Sequence, residues 1–294
     1  MDRKCTIVIP TLGNRQKELE RAVASLLEQT GGQAMPLVVL NGERYDGEFV
    51  RHLRQRRDIR FLQIDGSGVS RARYEGRLQV DTPYYGFLDD DDEYTPDALA
   101  IRFRPFETRP ETDVAVGNGW HHVGMEKRLV WQDPAPIEAD PAHVLMTMNW
   151  LGSCSAIFKT ETVGPEYFDF DFQYFEWTYL ALHLALTRKL AFTREPTFIV
   201  NNTPNSLSDS DAYGEAYTAM LDNMLTFDMP RSLRQMIRKR ILAGHHNMSD
   251  VYRRRGVMSA AWKYHLRSLS GLHGLLQYGL YTGKLLAPST PRAD

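Results

Sequence analysis

Four consecutive aspartates, Asp89 to Asp92, follow a short apolar segment in the stretch YYGFLDDDDEYTP. Adjacent carboxylates repel one another, and burial makes each charge more costly unless a cation or hydrogen bonds compensate it. Mg²⁺ and Mn²⁺ prefer hard oxygen ligands and typically take one or two carboxylates together with phosphate oxygens and water. The cluster therefore predicts a site for Mn²⁺ or Mg²⁺.

A helix cap is the competing interpretation of these acids. Thr95, Pro96 and Asp97 suit the N-cap and first turn of a helix over PDALAIRFRPFE, and the helix dipole stabilises nearby acids. That interpretation accounts for one or two carboxylates, but it leaves Asp89 and Asp90, next to the strand end, unexplained.

A second group of residues suits a phosphate ligand. The stretch DGSGVSRARYEG combines glycine-rich backbone, a predicted helix start and two arginines, Arg71 and Arg73. Helix N-termini attract anions, and guanidinium groups bind phosphate oxygens bidentately. The spacing matches neither a Walker loop nor the dinucleotide glycine pattern. Beside the acidic cluster, the arginines indicate a diphosphate held between a cation and positive side chains.

Alternating strands and helices are predicted to position both groups. The buried-strand patterns are CTIVIPT, MPLVVLNG, IRFLQIDGSG and YYGFL, each separated from the next by an amphipathic helix. This alternation predicts an α/β fold with a mostly parallel sheet, in which ligands bind at the carboxyl ends of the strands. That edge would carry Thr11, Asn41, 65–68 and 89–92.

Taken in order, these motifs resemble a known family. TIVIPTLGNRQKELERAVASLLEQT, LVVLNG, GSGVSRARYEG and YYGFLDDDDEYTPDAL are similar to motifs of the GT-A glycosyltransferases, in the large inverting family that builds bacterial polysaccharides. The resemblance covers about the first hundred residues and is weaker from Asp113 to Asn205. It implies a GT-A (Rossmann-like) fold, a nucleotide-sugar donor and a divalent metal.

The resemblance assigns donor-side residues. Thr11 closes the first strand where the family touches the nucleoside, and Asn41 stands where the family usually has an aspartate that binds uracil. Arg73 matches the family's arginine near the nucleotide. Asp89 and Asp91 match the outer positions of the Asp-x-Asp motif, which serve the ribose and the metal respectively. The run of aspartates leaves this register open by one residue, so the adjacent Asp90 is assigned to the donor as well.

The resemblance also implies an acceptor side. NWLGSCSAIFKTETVG resembles the family's strand and turn beside the sugar pocket, with Gly152 and Ser153 at close approach. FDFDFQYFEWTYLALHLAL resembles its acidic motif, in which the catalytic carboxylate precedes an aromatic residue. Here Glu176 precedes Trp177, which is assigned to the acceptor side.

Inversion needs a base to remove the proton of the acceptor hydroxyl while the metal stabilises the leaving diphosphate. Glu176 is the predicted base, although the family usually has aspartate. Asp169 and Asp171 are the alternatives if the alignment shifts. A further alternative is that Glu176 simply begins a helix, where the dipole favours an acid.

The C-terminal part is strongly basic. From Arg231 to Lys284 the chain has eleven lysines and arginines and one acid, Asp250, although the net charge of the whole chain is -2. Basic residues with Leu, Trp and Tyr at helical spacing predict helices in residues 231–285 that lie on an anionic membrane surface. The alternative is a helical pair packed on the catalytic domain. Nucleic acid is not expected as a partner, because no binding motif accompanies the charge.

Length and composition fit one large α/β domain with an appendage. The expected division of the 294 residues is 1–112 for the nucleotide-sugar half, 113–215 for the acceptor half and 216–294 for the helical extension. Cys5 and Cys154 make neither a disulfide framework nor a metal site. The first residues do not resemble a signal peptide, so we expect a cytoplasmic protein, peripheral on the inner face of the cell membrane if the tail binds lipid.

The sequence thus predicts a metal-dependent inverting glycosyltransferase of the hexosyltransferase type. It would move a sugar from a nucleoside diphosphate donor, a UDP-sugar above others, to a hydroxyl of a glycan or lipid-linked acceptor. Two alternatives stay open. One is a sugar-phosphate nucleotidyltransferase, and the other is a catalytically silent nucleotide- or glycan-binding scaffold at the membrane.

Overall fold

A computed structural model describes residues 2–42, 45–66, 68–123, 126–170, 174–201 and 211–286. The chain divides into two compact units, residues 1–205 and 206–294. The first unit contains the β-sheet, and the second contains helices in its described part.

The described strands form a nine-stranded sheet in the order β3-β2-β1-β4-β8-β6-β9-β5, with β7 paired to β6. The neighbours β3, β2, β1 and β4 pair in parallel, as do β6 and β9, whereas β8 and β5 join the sheet by antiparallel pairing. The predicted α/β fold is confirmed. The strands are β1 (Lys4–Thr11), β2 (Gln33–Asn41), β3 (Arg60–Ile64), β4 (Tyr84–Phe87), β5 (Glu93–Tyr94), β6 (Val114–Val123), β7 (Glu126–Leu129), β8 (Ala156–Lys159) and β9 (Leu190–Val200).

Helices cover both faces of the parallel part of the sheet. Alternate residues of β1 point to opposite faces. On one face, Ile7 and Ile9 share a core with residues of α1 and α4. On the other face, Val8 lies so close to Gly76 of α3 that a Cβ there would be 2.4 Å from the valine. The helices of this unit are α1 (Gln16–Leu27), α2 (Gly47–Gln55), α3 (Val69–Leu78), α4 (Ala98–Thr108), α5 (Ala135–Ala139), α6 (Pro141–Leu145) and α7 (Glu176–Thr187).

Helix α4 begins at Ala98, two residues later than the capping pattern predicts. The Thr95 hydroxyl donates to the carbonyl of Pro196 at 3.2 Å instead of capping the helix. The Thr95 carbonyl accepts a hydrogen bond from the Ala98 amide, which closes a turn ahead of the helix. The helix dipole acts within the first turn, so none of the four aspartates is explained as part of this cap.

The second unit is helical in its described residues. Helix α9 packs against α8 and α10, and its buried stripe includes Leu233, Ile237 and Ile241. None of the helices in the described part of the chain has the length and hydropathy needed to cross a membrane. The helices are α8 (Asp211–Met224), α9 (Arg231–Arg254), α10 (Met258–Ser268), α11 (Gly271–Tyr278) and α12 (Thr282–Leu286).

Candidate active site

The carboxyl ends of the parallel strands bring the predicted donor residues to one edge of the sheet. Thr11 ends β1, and its hydroxyl donates to a carboxylate oxygen of Asp90 at 2.6 Å. Asn41 ends the neighbouring β2, where Thr11 pairs with Leu40, the residue before it. Thr11 and Asn41 are both buried. The sheet therefore gathers polar side chains at the edge where ligands bind in such folds.

Arg15 binds two of the four aspartates. It lies just before α1, and its Nη1 donates to Asp91 at 2.7 Å and to Asp90 at 3.3 Å. Both carboxylates are largely buried. Burial raises the pKa of Asp90 to about 6, although the Thr11 hydroxyl and Arg15 oppose the shift. One guanidinium thus compensates two neighbouring carboxylates.

Asp92 faces away from Arg15 and into the protein. The backbone amide of Asn201, just after β9, donates to it at 3.0 Å, and the Cys154 thiol donates to its other oxygen at 3.6 Å. Burial, together with the charge of Asp89, raises the pKa of Asp92 to about 8. The side chain of Asn201 also donates to the carbonyl of Asp91 at 2.8 Å. Together, these contacts hold the backbone around the aspartates in place.

Arg73 joins the donor side to the predicted base. Its two terminal nitrogens donate to Asp89 and to Glu176, each at 2.8 Å. The second oxygen of Asp89 accepts a hydrogen bond from the Ser153 hydroxyl at 2.7 Å. Burial opposes the charge of Arg73, but the two carboxylates outweigh it and raise its pKa above the usual value. Four predicted site residues therefore form one connected chain, which we call the Arg73 network: Ser153, Asp89, Arg73 and Glu176.

A small pocket lies beside this network. The guanidinium of Arg73 lies 4.9 Å from the ring centroid of Trp177, and that ring packs edge-on against Phe87. Two buried nitrogens here, Arg73 Nε and Trp177 Nε1, have no hydrogen-bond partner among the residues that the structure describes. Such groups favour a polar ligand. The residues that line the pocket are Ser70, Arg73, Phe168, Phe170, Glu176, Trp177 and Leu180.

Glu176 is placed by the start of α7. The residue before it, Phe175, has φ 63°, the one positive φ of a non-glycine residue in the described chain. This left-handed turn directs the chain into the helix at Glu176, whose side chain is largely buried. Of the two alternatives for the base, Asp169 is exposed and Asp171 lies outside the described residues.

A buried arginine holds the loop that carries Gly152 and Ser153 in place. Arg102 of α4 donates to the Cys154 carbonyl and to the Thr197 hydroxyl, both at 2.7 Å. Apart from its chain neighbours, no atom of the described residues lies within 4 Å of a Cβ placed on Gly152, so this side of the loop is open to that extent. Open space beside Gly152 is compatible with a ligand at that position.

The carboxylates fit a metal ion that is shared with a diphosphate, but not an ion held by protein alone. In the described part of the chain, no group of three or more His, Cys, Asp or Glu side chains is arranged to hold a metal. Mg²⁺ bound with phosphates requires one or two carboxylates. Asp91 lies at the sheet edge, where the guanidinium of Arg15 pairs with it at 2.7 Å.

Comparison with known proteins identifies the family. The model of glycosyl transferase family 2 matches residues 6–192, which is more than half of the chain. The chain belongs to glycosyl transferase family 2. The predicted resemblance and the glycosyltransferase class are thereby confirmed. No curated protein matches this family 2 chain in a sequence comparison.

Solved structures of S. aureus TarS share the fold of this family 2 chain. TarS has 14% identity and a TM-score of 0.65, over 92% of this chain and 50% of that one. TarS 1–349 in complex with UDP-GlcNAc has 14% identity and a TM-score of 0.64, over 89% and 80%. TarS 1–349 in complex with UDP has 13% identity and a TM-score of 0.59, over 91% and 81%. At this identity the likeness establishes the GT-A fold alone, and this chain spans half the length of the first of these relatives.

The sequence did not identify three contributors to the site of this family 2 chain. Arg15, Asn201 and Cys154 contact the aspartates from distant parts of the chain. A signal exists for Arg15 alone, because it lies in the loop after the first strand, at the ligand-binding edge.

Arg71, one of the two arginines predicted to bind phosphate, does not contact the aspartates. Arg71 pairs with Glu75 on the surface of α3, one turn along the helix. Asp65 is exposed, and Ser67 of the glycine-rich segment lies outside the described residues. Of the two arginines, Arg73 is the one whose side chain points to the aspartates.

Proposed function

We propose that this family 2 member is an inverting glycosyltransferase of the hexosyltransferase type. It moves a sugar from a nucleoside diphosphate donor to a hydroxyl of a glycan or lipid-linked acceptor. The observation that carries the proposal is the Arg73 network, because it joins the carboxylate assigned to the donor, the acceptor-side loop and the assigned base within hydrogen-bond distance.

Glu176 acts as the base in this proposal. Its carboxylate takes the proton from the acceptor hydroxyl as the oxygen forms a bond to the anomeric carbon. The bond from that carbon to the diphosphate oxygen breaks on the opposite face, and the nucleoside diphosphate leaves. A carboxylate has several lone-pair sites, so the hydrogen bond from Arg73 orients Glu176 and leaves capacity to accept the proton.

The donor is held at the strand ends. Thr11 and Asn41 meet the nucleoside, with Asn41 offering both a carbonyl and an amine to a base edge. Asp89 and Asp90 meet the ribose side. Asp91, together with phosphate oxygens, would hold Mn²⁺ or Mg²⁺, which when bound stabilises the negative charge of the departing diphosphate.

A UDP-sugar is the favoured donor. S. aureus TarS 1–349 forms complexes with UDP-GlcNAc and with UDP, and it shares the fold of this chain. Thr11 and Asn41 lie at the carboxyl ends of β1 and β2, and an asparagine side chain can pair with the edge of a pyrimidine base, which supports a pyrimidine nucleotide as donor. The acceptor sits on the Trp177 side, where two nitrogens without a partner among the described residues line the pocket.

The test is transfer and slow donor hydrolysis across a panel of nucleotide sugars with Mn²⁺, Mg²⁺ or EDTA. We expect release of a nucleoside diphosphate from one donor, lost with EDTA and with Asp91→Ala. Asp133→Ala is the matched control, because its side chain is 56% exposed and pairs with Arg194 at the surface. Release of pyrophosphate from a nucleoside triphosphate would instead identify a nucleotidyltransferase.

A scaffold without catalysis is tested by Glu176→Gln. A transferase loses turnover in this variant and keeps donor binding, whereas a scaffold keeps its binding and its phenotype unchanged. Absence of metal-dependent UDP binding in the wild-type chain would refute the donor site itself.

The wider arrangement is also proposed. Residues 1–112 form the donor half and 113–215 the acceptor half, followed by the helical extension 216–294. The extension is proposed to keep the enzyme at an anionic membrane surface on the inner face of the cell membrane, which suits a lipid-linked acceptor.

A further inference from the structure

The last three helices expose leucines that the fold does not bury. Leu272 is 74% exposed, Leu275 54%, Leu276 77% and Leu280 95%. Leu272, Leu275 and Leu276 have the i, i+3, i+4 spacing that places side chains on one side of a helix, and Leu280 follows one turn later. We call these four residues the leucine face. Leu266 and Leu286 are also more than half exposed. Single exposed leucines are ordinary, but a contiguous apolar patch marks an interaction surface.

The opposite side of helix α11 already packs against other helices of this unit. The leucine face is therefore not the side of the helix that forms the core. Gly274 is buried, and a Cβ there would meet the Ser268 carbonyl oxygen at 2.3 Å. The Tyr278 ring stacks on His246 with centroids 4.4 Å apart. Tyr281 and Leu285 are buried in a small core with Ala261. These contacts fix α11 with its leucines toward solvent.

The charge of the segment that carries the leucine face indicates the partner. Between Arg231 and Lys284 the chain has eleven basic residues and one acid. That acid, Asp250, is paired with Arg253 at 3.0 Å and with Arg254 at 2.6 Å, so it offers no negative patch. Lys284 and Arg267 lie close in sequence to exposed leucines. Exposed apolar side chains on a helical segment rich in lysine and arginine suit the boundary between headgroups and acyl chains of an anionic bilayer.

A second copy of the chain suits this surface less well. A symmetric contact would place the same basic surfaces opposite each other, and like charges across an interface disfavour association. Lipid headgroups with negative charge remove that repulsion while the leucines leave water.

We propose that the leucine face inserts into an anionic bilayer surface and that lysines and arginines of the same helical unit, among them Arg267 and Lys284, bind its headgroups. The helices lie along the membrane and do not cross it. This inference rests on the membrane role proposed for the extension but not on the transfer chemistry, and it names the side chains that insert into the bilayer.

The first experiment measures co-sedimentation of the full chain with vesicles of phosphatidylcholine alone or with added phosphatidylglycerol. We expect binding to the anionic vesicles, weakened about tenfold or more when Leu276→Glu and Leu280→Glu are combined. The matched control combines Leu27→Glu and Leu78→Glu, because these leucines are 44% and 47% exposed in the first unit. The control should bind like wild type. Circular dichroism of each variant checks that it is folded.

A second measurement separates insertion from adsorption. Cys5 and Cys154 are both buried, so a thiol introduced by Leu280→Cys can be labelled selectively with an environment-sensitive dye. Insertion predicts a blue shift of the dye with anionic vesicles that persists at high salt.

Three outcomes would overturn the proposal. They are equal vesicle binding by the leucine variant, no binding by the wild type, or a dimer that the leucine variant dissociates without any vesicle binding. The assays contain no nucleotide sugar, so their failure is distinct from failure of the proposed transferase activity.

Discussion

Replacing Arg73 by methionine should destabilise the first unit far more than the same change two residues earlier. The Arg73 side chain is 6% exposed and lies between Glu176, 15% exposed, and Asp89, 35% exposed. Methionine keeps part of the stem volume and removes the charge. Glu176 would then be buried without its cation, while Asp89 keeps Ser153 and more water.

The size of the effect follows from these contacts. A hydrogen bond to a charged group contributes about 1.5–3 kcal/mol, and removing one partner of a buried ion pair costs about 3–5 kcal/mol. The contact with Asp89 belongs at the low end, because a third of that side chain meets solvent. We therefore expect a loss of about 3–5 kcal/mol in the free energy of unfolding. For a unit of this size each kcal/mol lowers Tm by about 2–4 °C, so Tm falls by about 10 °C.

The assay is thermal and denaturant unfolding, followed by circular dichroism in metal-free buffer. Arg71→Met is the control, because Arg71 is 63% exposed and pairs with Glu75 at the surface. It should change stability by no more than about 0.5 kcal/mol. Adding Glu176→Gln to Arg73→Met removes the uncompensated charge and should recover about half of the loss. If Arg73→Met and Arg71→Met unfold together, the buried network is not an energetic unit and the reasoning is wrong.

Three further predictions concern the site itself. Glu176→Gln should lower the rate of transfer about 100-fold or more while UDP binding persists. The control Glu161→Gln, on an exposed side chain, should leave turnover unchanged. Equal rates in the wild type and both variants would exclude Glu176 as the base. Burial raises the pKa of Asp92 to about 8, so without metal the native state holds more protons than the unfolded chain between about pH 4 and 8. The free energy of unfolding should then fall by up to about 1.4 kcal/mol per pH unit per proton as pH rises, and Asp92→Asn should flatten this slope in urea titrations. Arg15→Gln removes a cation that competes at Asp91, so Mn²⁺ affinity in the presence of saturating UDP, measured by electron paramagnetic resonance, should rise about two- to fivefold, since the pair is partly exposed and screened. Unchanged or weaker Mn²⁺ binding would contradict this.

The sequence predicted the strands and helices that position the site, because local hydrophobic patterns determine these elements. The run CTIVIPT and its counterparts form the parallel strands, and the strand-end rule brought Thr11 and Asp90 into contact across the sheet edge. Helix starts were less predictable. Thr95 has the residue type of a cap, but β9 offers its hydroxyl a carbonyl, and tertiary contact overrides the local preference.

The partners of the aspartates could not be predicted in the same way. Asn201 reaches Asp92 from more than a hundred residues away, and Arg102 holds the 152–154 loop from the middle of an apolar helix. Such contacts depend on how β9 and α4 pack, which no periodicity encodes. The pairing of Arg73 with both Asp89 and Glu176 likewise required the structure, although each residue was a candidate from the sequence.

The Arg73 network has a consequence for how the two substrates bind. A donor that engages Asp89 binds the same two oxygens that already accept hydrogen bonds from Ser153 and Arg73, and so alters those contacts, while Arg73 in turn orients Glu176 on the acceptor side. Donor and acceptor should therefore bind with a linkage free energy rather than independently. By thermodynamic reciprocity, the factor by which a UDP-sugar changes acceptor affinity equals the factor by which the acceptor changes donor affinity. In Arg73→Met that factor should approach one.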